Sequence, residues 1–264
     1  MGGDMEQTPI EYEYSGIKFK LYRYYPRIAD WYEPETCRWI VDNARKGWTV
    51  IDVGANVGAI SILAGLAMGG GRLYAIEANK EAADMCQFNL DRNGLGGRAE
   101  VWRFAAGNVD DSKEDRVLWL AGTNKRSRDT MKRACWDMRT LDTFCASLER
   151  LDLIKIDVDG WDYEVLVGAT ETVERWQPFI LVEINYALHR RGNTLLDVIE
   201  WLESTGYILC DVLDERNWVL SHRSRCDEIN VGQALPPMVG RINRILNALL
   251  TVRGMASWRS GPAC

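Results

Sequence analysis

The sequence predicts an α/β protein: a mostly parallel sheet with helices on both faces and an antiparallel edge. Between residues 49 and 213, short continuous apolar runs alternate with helix-length segments, as expected of strands buried on both faces and joined by crossover helices. The first run passes through a glycine-bearing turn, Gly54-Ala55-Asn56-Val57-Gly58, straight into an apolar helix. The last two runs, 207–213 and 217–221, are joined only by Asp214-Glu215-Arg216 and read as an antiparallel pair.

The elements follow in order. Residues 1–11 read as a frayed start and 12–25 as a hairpin about Ser15-Gly16. Pro34-Glu35 opens an amphipathic helix to about Lys46, with Gly47 as its stop. Strands are expected at 49–54, 72–78 and 99–107, with helices at 57–68 and 79–92 and the stop Asn93-Gly94 after the second. Residues 116–122 read as an inserted strand, followed by a polar, basic stretch at 123–133 with no apolar period. A strand at 151–160, a helix at 162–176, a strand at 178–185 and a helix at 193–204 stopped by Gly206 complete the alternation. Residues 226–264 read as a helical tail, because apolar residues recur at helical spacing over 238–252. The chain therefore divides into an extension (1–31), a sheet domain (32–225) and the tail.

Bulk properties narrow the function. With 264 residues, 47% apolar and 27% charged, the chain can bury one large core. Of its 11 tryptophans most are expected in that core, with some left to line a pocket. A net charge of −6 gives no long-range attraction to phosphate backbones, so bulk nucleic-acid binding is not expected. Seven scattered cysteines, no C-x-x-C and only His189 and His222 exclude a zinc site of standard spacing and suit free thiols in a reducing compartment. The N-terminus lacks a signal-peptide pattern, and the longest apolar stretch, 59–68, is too short to span a bilayer. The expected location is cytoplasmic.

The segment Val50–Gly58 is a strand, a tight turn and a helix start. In an open parallel sheet such a turn lies where ligands bind, beyond the carboxyl ends of the strands. Gly54 and Gly58 allow close backbone approach, and the free N–H groups of the helix start suit a carboxylate. The pattern D-x-G-x-N-x-G is not the pyrophosphate-cradling G-x-G-x-x-G. An acidic residue at the turn, Asp52, would repel a diphosphate and suits an amino group or a sulfonium, both of which S-adenosylmethionine carries. Glu77, 25 residues on at the end of the next strand and followed by Ala78, is placed to accept ribose hydroxyls. Asn108, after the third strand, is a candidate for the adenine edge. The cofactor candidates are thus Asp52, Gly54, Asn56, Gly58, Glu77, Ala78 and Asn108.

Five segments, VIDVGANVGAISILAG (50–65), IEAN (76–79), NLDRNGL (89–95), LDLIKIDVDGWDYEVLVGA (151–169) and FILVEIN (179–185), resemble the FkbM-type methyltransferase family, over about residues 32–213. The resemblance implies a class I methyltransferase (Rossmann-like) fold with a mostly parallel seven-stranded sheet. It also implies S-adenosylmethionine as cofactor and O-methylation of a sugar, glycolipid or natural product. Two positions depart from the family pattern: Asp159 stands where Glu is usual, and Trp161 where His is common, so a mechanism that uses that His does not transfer.

On this reading Asp157 lies beside the reactive methyl, and it joins both the cofactor and the catalytic candidates. Alternation along the strand puts Lys155, Asp157 and Asp159 on one side, with Glu183 of the next strand facing the same crevice. Such carboxylates can deprotonate an acceptor hydroxyl, orient it, or hold a divalent cation such as magnesium. Lys155 alternatively forms a structural ion pair, and Asp159 alternatively caps the following helix. His189, in the loop after that strand, is a candidate base, and Trp161 a stacking face for a sugar.

The basic run Lys125, Arg126, Arg128, Lys132 and Arg133 is either a solvated loop or a lid over a phosphate-bearing acceptor such as a nucleotide sugar. The tail helix, with Arg241, Arg244 and Arg253, packs on its own domain, forms a homodimer contact or lies on a membrane surface. Two other readings stay open: a nitrogen, carboxylate or RNA-ribose acceptor, and a non-catalytic domain that binds S-adenosylmethionine as a regulator.

Overall fold

The computed structural model describes residues 8–24, 33–116 and 134–229. The basic run 123–133, nearly all of the strand expected at 116–122 and the tail helix at 238–252 lie outside the described residues.

The chain opens with the hairpin β1 (Ile10–Tyr14) and β2 (Ile17–Leu21), turned at Ser15-Gly16 with positive φ at both residues. A two-residue hairpin loop needs that geometry to match the twist of its strands. Helix α1 (Pro34–Asn43) leads to β3 (Thr49–Val53), α2 (Ala59–Ala67), β4 (Arg72–Ile76), α3 (Lys80–Arg92) and β5 (Ala99–Trp102). The short strands β6 (Ala105–Ala106), β7 (Asp111–Arg116) and β8 (Ala134–Arg139) follow, with α4 (Leu141–Cys145) after them. Then come β9 (Leu153–Ile156), α5 (Asp162–Val167), α6 (Thr170–Trp176), β10 (Phe179–Glu183), a 3-10 turn (Tyr186–Arg191) and α7 (Leu195–Thr205). Strands β11 (Tyr207–Leu213) and β12 (Asn217–His222) close the sheet.

Seven strands lie in the order β11-β12-β10-β9-β3-β4-β5. Strands β3, β4, β5, β9 and β10 run parallel, and β12 runs antiparallel between β10 and β11. The chain builds outward from β3 to β5, then returns to the other side of β3 as β9. The order therefore reverses between β3 and β9, where a crevice opens beyond the strand ends. The expected antiparallel closing pair is present, with its second strand inserted in the sheet.

Alternation along each strand divides the core in two. Ile51, Val53, Ile154, Ile156, Ile180 and Val182 join one cluster with residues of α4, α5, α6 and α7. Val50, Leu73, Ala75, Leu153 and Leu181 join the other, with residues of α1, α2 and α3. Asp52, Lys155 and Glu183 share the parity of this second set, two positions beyond Val50, Leu153 and Leu181. Each is a polar residue at the carboxyl end of an apolar row.

Three expected elements differ. The strand at 99–107 splits, because Ala105-Ala106 leaves the main sheet to pair with β8 in a separate sheet ordered β6-β8-β7. The helix at 162–176 breaks at Gly168, where a side-chain carbon would sit 2.0 Å from the Gly107 carbonyl oxygen. The strand at 151–160 ends at Ile156, so only Lys155 of its three polar candidates lies within the strand.

Two side-chain clamps hold the first elements. Asn89 of α3, fully buried, accepts from the backbone N–H groups of Tyr22 and Arg23 and donates to the carbonyls of Arg23 and Val57. The hairpin is thereby docked on α3. Helix α1 has no cap from its own Glu33. Asp214 of the β11–β12 turn accepts instead from Glu35 N (3.2 Å), Thr36 N (2.9 Å) and Thr36 Oγ1 (2.8 Å), while Glu35 Oε2 accepts from Asp214 N at 2.6 Å. This is a helix cap supplied from the far end of the sheet. Asp214→Ala is expected to cost about 1–2 kcal/mol of stability in urea unfolding, with Asp214→Asn retaining most of it.

Candidate active site at the switch point

The glycine turn follows β3. Its Gly54 has φ +83°, and a side-chain carbon there would lie 1.8 Å from the Asp157 carbonyl oxygen; at Gly58 one would meet Cys86 Sγ of α3 at 2.8 Å. The space both glycines open is thus filled by protein, so they seat the turn on its neighbours. Asn56, itself left-handed with φ 51°, donates its backbone N–H to Glu77 Oε2 at 2.8 Å. Glu77 Oε1 accepts from Asn79 N at 2.7 Å. The carboxylate beyond β4 is thereby pinned across the turn, with one further lone pair on each oxygen for a ligand donor. Burial raises its pKa, and the two N–H bonds pull against that rise. Ala78 is half-buried between this carboxylate and the Asn79 cap of α3.

Asp52 lies within β3 rather than in the turn. It is 3% exposed, accepts from Ser61 Oγ at 2.5 Å, and stands in register with Lys155 of β9. Lys155 Nζ reaches Asp157 Oδ2 at 3.2 Å and Glu33 Oε2 at 3.9 Å. Burial alone would lower the lysine's pKa, yet Asp157, Glu33 and Asp52 hold it above the ordinary value. Burial raises Asp52 and Glu33, with Lys155 opposing in both cases. Three carboxylates therefore converge on one buried cation.

Beyond Asp157 the chain turns. Asp159 is exposed with φ 50° and lies off the strand, so it does not continue the side occupied by Lys155. Nor does it cap the helix. Asp162, 3% exposed, accepts from Val158 N (3.0 Å) and Gly160 N (2.9 Å) and ties the turn to the start of α5. Burial, then the charge of Asp157, pushes Asp162 up to about 7. Glu183, at the end of β10, is pushed up to about 8 by burial, then by Asp157 and Asp162, against an ion pair with Arg216 Nε at 3.0 Å. Partial burial of its carboxyl, then the charge of Asp157, likewise raises Asp159.

The remaining candidates lie apart from this cluster. Asn108 is exposed after β6, off the main sheet, because β5 already ends at Trp102. His189 is exposed in the 3-10 turn, and its side chain makes no hydrogen bond among the described residues. One face of Trp161 is covered by the Arg191 guanidinium, 3.1 Å from the ring centroid, which Glu164 holds in place. Among the described residues no three His, Cys, Asp or Glu side chains form a metal-holding group. Sequence patterning missed Glu33, Asp162, Asp214 and Arg216. Asp162 had a signal, an acidic residue two places after a glycine at a helix start; the other three are placed only by tertiary structure.

An open, mostly parallel sheet of this strand order, with a glycine turn and a pinned carboxylate at its switch point, has the class I methyltransferase architecture. The chain belongs to the FkbM methyltransferase domain family, whose family model matches residues 52–209. It is 31% identical over 132 residues to a probable cobalt-precorrin-6B C(15)-methyltransferase (decarboxylating) of Pyrobaculum calidifontis, an alignment covering 46% of this chain and 65% of that relative. It superposes on an FkbM methyltransferase of Methylobacillus flagellatus with TM-score 0.48 and 20% identity, covering 68% of this chain and 43% of the other. Superposition on a precorrin-6y C5,15-methyltransferase of Geobacter metallireducens gives TM-score 0.41 and 15% identity, covering 72% and 85%.

Gly54→Ala should lose about 3 kcal/mol or more in urea unfolding, because the new carbon meets a carbonyl at a backbone angle that disfavours it. The carboxylates make a separate prediction. Glu183 is raised from 4.5 to about 8 and Asp162 from 3.8 to about 7. Across those windows the folded chain holds protons that the unfolded chain has released, so both groups make stability fall as pH rises. Glu183→Gln should remove part of that slope. Melting curves should show the variant gaining on wild type from about pH 5 to about pH 8, and a constant difference would contradict the assignment.

Proposed function

We propose that this chain transfers a methyl group from S-adenosylmethionine to a hydroxyl of a sugar, glycolipid, nucleotide-sugar or natural-product acceptor. Membership of the FkbM family supports the methyl-transfer part. The observation that carries the hydroxyl part is Glu183: a buried carboxylate at the end of β10, held by Arg216 at 3.0 Å and raised by burial and by Asp157 at the end of the adjacent strand. A base poised near neutral pH is suited to take a proton during the reaction.

The described residues fit the cofactor. Glu77 has lone pairs left for ribose hydroxyls, and the surplus of carboxylate over cation near Lys155 suits a positively charged ligand. When bound, S-adenosylmethionine supplies an electrophilic methyl on a cationic sulfonium. Lys155 fixes Asp157, which orients the acceptor. Glu183 would take the acceptor's hydroxyl proton, and S-adenosylmethionine held by Glu77 and the carboxylates around Lys155 would supply the methyl group. Arg216 holds Glu183 in place throughout. The thiols of Cys37, Cys86, Cys145 and Cys226 are all buried, which suits a reducing compartment such as the cytoplasm.

A carbon acceptor is the competing reading, favoured by the Pyrobaculum relative, which is named a C(15)-methyltransferase. The deciding experiment offers methyl-labelled S-adenosylmethionine with parallel panels of hydroxyl and carbon acceptors. Label is expected on a hydroxyl, with Glu183→Gln lowering kcat by about 10²–10⁴-fold and leaving S-adenosylhomocysteine affinity nearly unchanged. Transfer to carbon acceptors alone would sink the hydroxyl assignment.

A further inference from the structure

Glu33 stands just before α1, outside residues 52–209 that the family model matches, and no cofactor motif points to it. It is 6% exposed, and among the described residues its Oε2 has no hydrogen-bond donor. Among the described residues its cation partner is Lys155, 3.9 Å away, which already donates to Asp157 at 3.2 Å. A buried carboxylate oxygen left in that state is costly. The helix gives it no use either, because Asp214 performs the capping that an acidic N-cap would ordinarily provide.

Its position supplies a use. Glu77 pins the ribose side of the crevice beyond β4, whereas Lys155 lies on β9, across β3 from there. A nucleoside seated at Glu77 and extending over the glycine turn brings its far end toward the Lys155 cluster. Three carboxylates around one lysine leave that end of the crevice negatively charged.

Building on the methyltransferase reading, we infer that Glu33 is a cofactor-binding residue whose free oxygen accepts the ammonium group at the amino-acid end of the S-adenosyl cofactor. Lys155 then serves to hold Glu33, Asp52 and Asp157 together before the ligand arrives. Burial raises the carboxyl of Glu33 in the free protein, and the charge of Lys155 opposes that rise.

The test is isothermal titration of the full chain and of Glu33→Gln with two ligands. One is S-adenosylhomocysteine; the other is 5′-methylthioadenosine, which has the same nucleoside and thioether but no amino-acid end. The variant should bind S-adenosylhomocysteine about tenfold or more weakly and 5′-methylthioadenosine as wild type does. The free variant should melt at or above the wild-type temperature, since it loses a buried carboxylate oxygen left without a donor. Equal affinities for S-adenosylhomocysteine, or an equal loss for both ligands, would overturn the inference. So would a free variant that melts several degrees lower or fails to fold, since Glu33 would then be the structural counter-ion of Lys155. Wild type binding neither ligand is a different result: it would overturn the methyltransferase reading and this inference with it.

Discussion

A lysine ammonium with 3% of its side chain exposed sits at the centre of the molecule, and much else follows from keeping it charged there. An isolated buried cation is strongly disfavoured, whereas one ringed by carboxylates holds its proton. Lys155 meets this condition by drawing on separate parts of the chain: Asp52 from β3, Asp157 from the end of its own strand and Glu33 from the approach to α1. Removing any one carboxylate changes the balance for the rest. The same arrangement puts strand ends, a turn and a helix start around a single point at the switch in strand order, where an open α/β sheet is best placed to bind a ligand.

The negative surplus reaches further than that ring. Asp157 appears among the causes that raise Asp162, Asp159 and Glu183. Arg216 offsets it at Glu183, and the turn that carries Arg216 also carries Asp214, the cap of α1. One three-residue turn at the far edge of the sheet thus serves both sides of the crevice. It positions the helix preceded by Glu33, and it neutralises part of the charge at Glu183.

Most of the fold was legible in the sequence because it follows from local rules. Apolar runs gave the strands, Gly206 and Asn93-Gly94 gave helix stops, and Ser15-Gly16 gave the hairpin. Elements governed by distant neighbours were not legible. The close seating of Gly168 on the Gly107 carbonyl and the pairing that divides the third strand both involve distant segments. The site divides the same way. Lys155 and Asp157 were correctly expected together, whereas carrying strand alternation on to Asp159 failed because the strand ends at Ile156 and a left-handed turn begins. Glu33 and Arg216 had no local pattern, since their partners lie far away in sequence.

The amide of Asn89 draws a different boundary around the protein from the one sequence similarity draws. One side chain, sealed from solvent, grips the backbone after β2 on one side and the Val57 carbonyl of the glycine turn on the other. The family-model match begins at residue 52, so a fragment cut there would keep the asparagine and discard three of its four bonding partners. The self-sufficient unit is therefore wider than the recognisable one. The segment before residue 52 supplies backbone groups without which Asn89, inside the matched range, would carry unmet hydrogen bonds in the interior.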